Sequence, residues 1–268
     1  MQSNQAEITP EDEEFFGSVG SFGIPKFDKI MNGGIPRGFT ILGLTDPGAG
    51  SELFAKQFAS RCEDPENTLY ISTNETEVEI LNVFTKYNWP SDVKIFSIGS
   101  EYNKRVLGKQ LQASRYRLEG FNMADIQRLS QTRFVDDDTE DFLTEMASQI
   151  MQLSPYFRVA VENLDFFFQR YDASRVISML RILQARTQMA RGLLLLSAST
   201  DAVSKSIERE ITSIADMVLT FGVHMIGTEF ETRMVVSKFR NSPENLAVIT
   251  YRVTPEEGIT PETVQRIA

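Results

Sequence analysis

The chemistry-bearing residues of this chain cluster between positions 43 and 52, where Thr45, Asp46, Pro47, Gly48, Ala49, Gly50, Ser51 and Glu52 have the frame of a phosphate-binding loop. In a loop of the form G-x-x-x-x-G-K-[ST], backbone N–H groups cradle phosphates, the lysine reaches the outer ones and the hydroxyl holds magnesium. With Gly50 set at the last glycine, Thr45 stands at the first glycine, Ser51 at the lysine and Glu52 at the hydroxyl residue. At an effective dielectric near 20, a carboxylate about 4 Å from a phosphate charge costs about 4 kcal/mol, and loss of the lysine removes attraction of similar size. Glu52 would sit at a helix amino terminus, where the dipole stabilises its charge. One reading is that the chain fills its anion site with its own carboxylate; the other is a helix-start residue with no further role.

A phosphate loop needs a buried strand before it and a helix after it. The apolar run 39–44 supplies the strand, and residues 52–61, with Leu53, Phe54 and Phe58 on one side, have helical spacing. Further apolar strands are expected at 68–73, 93–98, 158–164 and 192–198, alternating with helices at about 77–87, 138–153 and 173–191. Later strands are expected at 217–221, 234–238 and 246–253. Continuous apolar strands alternating with helices predict an α/β fold whose mainly parallel central sheet is flanked by helices on both faces.

The chain has 268 residues, 41% of them apolar, enough for one large core. Residues 1–16 read as an acidic, loosely ordered lead and 17–268 as a single domain. A net charge of -10 argues against nucleic-acid binding, since a surface that tracks phosphates needs clustered cations. One cysteine, Cys62, rules out an intrachain disulfide framework, and one histidine, His224, rules out a histidine-rich metal cage. No apolar run is long enough to cross a bilayer and no signal pattern precedes the domain, so the expected location is cytoplasmic.

Several segments resemble, in order, those of KaiC-type domains in the RecA superfamily. Gly23-Ile-Pro-Lys-Phe-Asp28 and Gly33-Gly-Ile-Pro-Arg-Gly38 are similar to the opening that precedes the family's phosphate loop. The segments 71–76, 158–164, 213–219 and 237–243 resemble its paired-glutamate strand end, Walker B strand, entry to the carboxy-terminal sheet and Lys-x-Arg turn. The likeness runs from about Gly17 to Gly258 and implies a RecA-like P-loop fold. Where the resemblance implies two glutamates, the first polarising the attacking water, this chain has Asn74 and Glu75; an amide cannot accept the proton. Where it implies the Walker B aspartate, Glu162 is one methylene longer, and magnesium demands tight octahedral geometry. Lys238 and Arg240 stand at the Lys-x-Arg positions, which the resemblance implies reach a neighbouring subunit's nucleotide.

Outside this pattern, Lys104, Arg105, Lys109, Arg115 and Arg117 form a basic stretch with Tyr102 and Tyr116, followed by an acidic block from Asp136; the choices are mutual pairing or a docking surface. Phe166, Phe167, Phe168 and Tyr171 read as packing, as do His224 and Met225. The expectation is a non-catalytic, degenerate ATPase module that needs no cofactor and acts through an unidentified protein partner, in a homo-oligomer or a mixed ring with a related ATPase. The alternative is an atypical ATP-binding protein or slow ATPase. In that reading Glu52 and Glu162 hold Mg, or a partner chain supplies the missing groups.

Overall fold

The computed structural model describes residues 18–60, 67–107, 141–227 and 229–266. The expected acidic lead, Cys62, and Lys109, Arg115, Tyr116, Arg117 and the acidic block from Asp136 lie outside these residues. A short strand β1 (Val19–Gly20) pairs with β2 (Ile35–Pro36), and between them helix α1 (Pro25–Ile30) begins at a proline. Next come β3 (Thr40–Thr45), α2 (Ser51–Ser60), β4 (Thr68–Ser72), α3 (Glu77–Lys86) and β5 (Lys94–Ser97). Helix α4 (Ile98–Tyr102) runs into a π-helical turn, and α5 (Phe142–Met151) precedes β6 (Arg158–Glu162). The rest is α6 (Asp165–Arg170), α7 (Ala173–Met189), β7 (Leu193–Ser199), α8 (Lys205–Ile214), β8 (Met217–Ile226), β9 (Glu229–Phe239), β10 (Ala247–Thr254) and β11 (Gly258–Arg266).

The main sheet has nine strands in the order β11-β10-β9-β8-β3-β7-β6-β4-β5. From β8 across to β5 every pairing is parallel, and β8 through β11 form an antiparallel extension. The α/β reading holds, with a parallel core flanked by helices. Side chains alternate between two cores because successive strand residues face opposite ways. On one side Ile41, Tyr70, Ala160, Leu193 and Leu195 meet Phe27 of α1, Phe54 and Phe58 of α2, and Ile80 and Phe84 of α3. On the other, Leu42, Leu69, Ile71, Val159, Val161 and Leu194 meet apolar side chains of α5, α7 and α8.

The departures from expectation have physical causes. Helix α8, absent from the expected helices, is strongly two-faced but short and polar overall, burying only Ile211 and Ile214; Ser204 caps it by accepting from the Ile207 N–H. Strand β11 carries Pro261 and polar residues, yet Ile259 is buried, with its N–H donated to Gln57 Oε1 at 2.9 Å. The expected strand at 217–221 continues to Ile226 because its pairing with β9 continues, past a register shift between Val218 and Leu219, to the Ile226–Glu229 pair.

Candidate functional site

The loop is held at the carboxy-terminal end of β3, where Thr45 pairs with Ser199 of β7 and Phe221 of β8. Asp46 donates its N–H to Phe221 O at 2.9 Å, and its Oδ1 accepts from Thr200 Oγ1 at 2.5 Å. Gly48 and Gly50 have φ of 82° and 77°, which explains why glycine is needed at both. A Cβ on either would meet nothing within 4 Å. Ala49 O accepts from the hydroxyl of Tyr251 on β10, which pins the loop from behind. Burial, reinforced by the charge of Glu52, pushes the Tyr251 phenol far above its ordinary range, keeping it a donor. Gly50 O accepts the Leu53 and Phe54 N–H groups and so starts α2, with Ser51 buried and Glu52 exposed in its first turn.

Beside the loop, β4 and β6 are neighbours in register, with Ser72 opposite Glu162 and Tyr70 opposite Ala160. Tyr70 and Glu162 therefore lie on the face that α2 covers. From α2, Lys56 reaches down between them with its side chain only 2% exposed. Its Nζ is 2.5 Å from Glu75 Oε2, an ion contact outside hydrogen-bond angles, and it donates to Glu162 Oε2 at 3.4 Å. It also faces Glu52 O at 3.5 Å and lies 5.6 Å from the centre of the Tyr70 ring. The Tyr70 hydroxyl donates to the same Glu162 oxygen. Burial pushes the Glu162 carboxyl above its ordinary value of 4.5; Lys56 opposes the shift and Glu52 adds to it.

The structure thus brings Glu75 and Glu162 together around one ammonium, with Glu52 close enough to act on Glu162 through its charge. Asn74 is exposed, and its amide oxygen accepts a long, 3.4 Å contact from Thr73 Oγ1. Glu75 is placed by its backbone: its N–H donates to Ser72 Oγ at 3.0 Å and its carbonyl accepts from Ser97 Oγ at 2.6 Å. Lys56, Tyr70, Thr200 and Tyr251 were not foreseen. Nothing in the sequence marks Lys56 as interior; in the structure every residue of α2 from Phe54 to Ser60 is buried. Four positions after Glu52, it looks like a surface i,i+4 partner.

The charges around the loop differ from those that hold a magnesium-bound triphosphate. Ser51 supplies no charge, Glu52 presents a carboxylate, and an ammonium already lies between Glu75 and Glu162. Among the described residues, no group of three or more His, Cys, Asp or Glu side chains is arranged to hold a metal ion.

Lys238 and Arg240 both have partners within the chain. Lys238 Nζ donates to Thr212 O at 2.9 Å and Ser213 O at 3.2 Å, capping the carboxy-terminal end of α8. Arg240 NH1 lies 2.6 Å from Asp216 Oδ1 and stacks over Phe39 at 5.1 Å. Burial raises the Asp216 carboxyl from its ordinary 3.8, against the pull of the Thr40 N–H, Arg240 and Lys238. In the described part of the basic stretch, Lys104 and Arg105 pair with Glu101, and Arg105 also with Glu145. Phe167 is buried in the core as expected, with Phe166, Phe168 and Tyr171 packed against it. Met225 is not: it and its cross-strand partner Phe230 are 70% and 76% exposed on the β8–β9 hairpin.

A nine-stranded RecA-like sheet with a glycine loop at the end of its central strand β3 defines a P-loop protein. A family model described as "ATPase: KaiC" matches residues 20–263, and the chain belongs to that KaiC family. It is 31% identical over 70 residues to a UPF0273 protein of Methanopyrus kandleri; that match spans 26% of this chain and 28% of the relative. The fold is similar to that of the flagellar accessory protein FlaH from Methanocaldococcus jannaschii, with a TM-score of 0.65, 14% identity, and 89% of this chain and 95% of that one covered. It is also similar to a KaiC-like protein from Pyrococcus horikoshii, with a TM-score of 0.61, 18% identity, and 91% and 98% covered. No helix among the described residues is long and apolar enough to cross a membrane.

Proposed function

We propose that this chain is a non-catalytic KaiC-family module, a cytoplasmic regulatory, signalling or assembly subunit that acts by binding another protein, in a homo-oligomer or a ring shared with a related ATPase. The observation that supports it most is the charge of the loop. Its lysine position is Ser51, and the first turn of its helix carries the Glu52 carboxylate, whose field is felt at both Glu162 and Tyr251. Phosphate entering there meets repulsion where the family supplies a cation. Asn74, exposed and unable to take a proton, leaves water activation without its base.

The glycines kept at 48 and 50, with open space beside each, favour a second reading, weak ATP binding completed by cations of a neighbouring chain. Calorimetric titration with magnesium ATP and ADP, with mass read by light scattering in the same buffers, separates the two. No heat at about 1 mM nucleotide, where binding is worth only about 4 kcal/mol, supports the interaction module; binding at about 1 μM, worth about 8 kcal/mol, overturns it. A Ser51→Lys, Glu52→Thr double variant should gain nucleotide affinity with little turnover.

A further inference from the structure

We propose that the ammonium of Lys56 is the resident cation of the acid site, tethered between Glu75 and Glu162 in place of a divalent metal ion, so that the site is complete without metal and excludes it. The inference rests on the non-catalytic reading of the loop and names what its acidic residues now do. An ammonium has three N–H donors and no acceptor. Around Nζ stand three oxygens on three parts of the fold: Glu75 Oε2 at 2.5 Å beyond β4, Glu162 Oε2 at 3.4 Å at the end of β6, and Glu52 O at 3.5 Å on α2. Two of them accept from the ammonium, and the third, on Glu75, meets it as an ion contact.

Burial argues in the same direction. Lysine is almost never fully buried unless paired, and here the side chain is 2% exposed while its two carboxylate partners are 31% and 13% exposed. The cation is the interior member of the cluster, with the acids arranged around it. The lengthened side chain at 162 lets one carboxylate oxygen take both the Tyr70 hydroxyl and the ammonium, and the Tyr70 ring lies against the same charge. A divalent ion beside these carboxylates would face Lys56 at ion-pair range, and like charges in a poorly solvated site repel strongly.

The test is a manganese titration of the full chain after dialysis against EDTA, with free Mn2+ read by electron paramagnetic resonance. The parent should bind no Mn2+ up to about 1 mM, a concentration at which weak carboxylate sites fill. Lys56→Met, which keeps the volume and removes the charge, should bind it at least about tenfold more tightly. Lys56→Arg should behave as the parent. Binding by the parent below about 0.1 mM, or a folded Lys56→Met variant that gains no affinity, overturns the proposal. If Lys56→Met does not fold alone, Mn2+ should restore its circular dichroism, and failure to do so overturns the proposal equally. Heat from magnesium ATP with the parent would defeat the non-catalytic reading; Mn2+ binding by the parent without nucleotide would defeat this one.

Discussion

Two internal carboxylate–cation sites among the described residues are built in opposite ways. At the loop end of the sheet the cation is interior: Lys56 is 2% exposed, and Glu75 and Glu162 lie nearer the surface. At the other end of β3 the carboxylate is interior. Asp216 is 2% exposed, accepts the Thr40 N–H at 2.9 Å, and meets Arg240, which is 42% exposed. The buried member of each pair shows what the site is for. Asp216 joins backbone to backbone, since its N–H also donates to Thr40 O and its carbonyl accepts from Arg240 N–H, tying the starts of β3 and β8 to the end of β9. Lys56 joins side chain to side chain, holding the carboxylates of Glu75 and Glu162 together.

Removing the buried member should cost most at the first site. Lys56→Met strands two carboxylates; breaking a buried pair costs about 3–5 kcal/mol, and the partial exposure of Glu75 puts the expected loss near the lower end, about 3 kcal/mol. Urea unfolding should show a lower midpoint at an unchanged slope. Asp216→Ala leaves the Thr40 N–H unpaired while Arg240 can turn to water, for an expected loss of about 2 kcal/mol. If Asp216→Ala proved the more costly, the contrast between the sites would be reversed.

Acidity sharpens the contrast further. Burial raises both Glu162 and Asp216 above their ordinary values of 4.5 and 3.8. Between the ordinary and the raised value the folded chain binds more protons than the unfolded one, so stability falls as pH rises through that window. Each contribution is fully present below the ordinary value and is lost as pH passes the folded one. Glu162→Gln should flatten the part of the pH–stability curve that begins at 4.5, and Asp216→Asn the part that begins at 3.8. Urea midpoints for parent and variants between about pH 4 and pH 7 give the comparison. An unchanged curve in Glu162→Gln would mean that Glu162 is not the proton-binding group of its site.

Most of the parallel sheet was legible because its strands are continuous apolar runs, and the run at 39–44 leading into Gly48 and Gly50 fixes where the loop must lie. Strand β11 was not legible, because it is held by backbone pairing with β10 and by Gln57 more than by apolar spacing. At the site, Glu75 and Glu162 were singled out by the resemblance to KaiC-type domains, and the register of β4 and β6, with Ser72 opposite Glu162, brings Glu75, three residues past Ser72, to the same end of the sheet. Lys56 was not foreseen. A lysine on a helix is by default a surface residue, and only the packing of α2 over β4 and β6 turns this one inward. The Lys-x-Arg pair shows the converse: its sequence is that of an outward-reaching turn, while Lys238 is at the end of a strand beside α8, whose carbonyls it meets.

The smallest expected effect decides how the second site should be understood. Lys238 caps α8 with its ammonium, and burial holds its pKa below the ordinary 10.5 despite Asp216 nearby. A cation at a helix carboxy terminus contributes about 0.3–1 kcal/mol, so Lys238→Met should lower stability by about 0.5 kcal/mol. If capping is its whole role, mass by light scattering will be the same for parent and variant at every concentration. If Lys238 also serves a neighbouring chain, the variant will lose assembly out of proportion to so small a change in stability. In that case the corner around Asp216 holds the cation ready for a partner, and of the two sites it alone has kept an outward function.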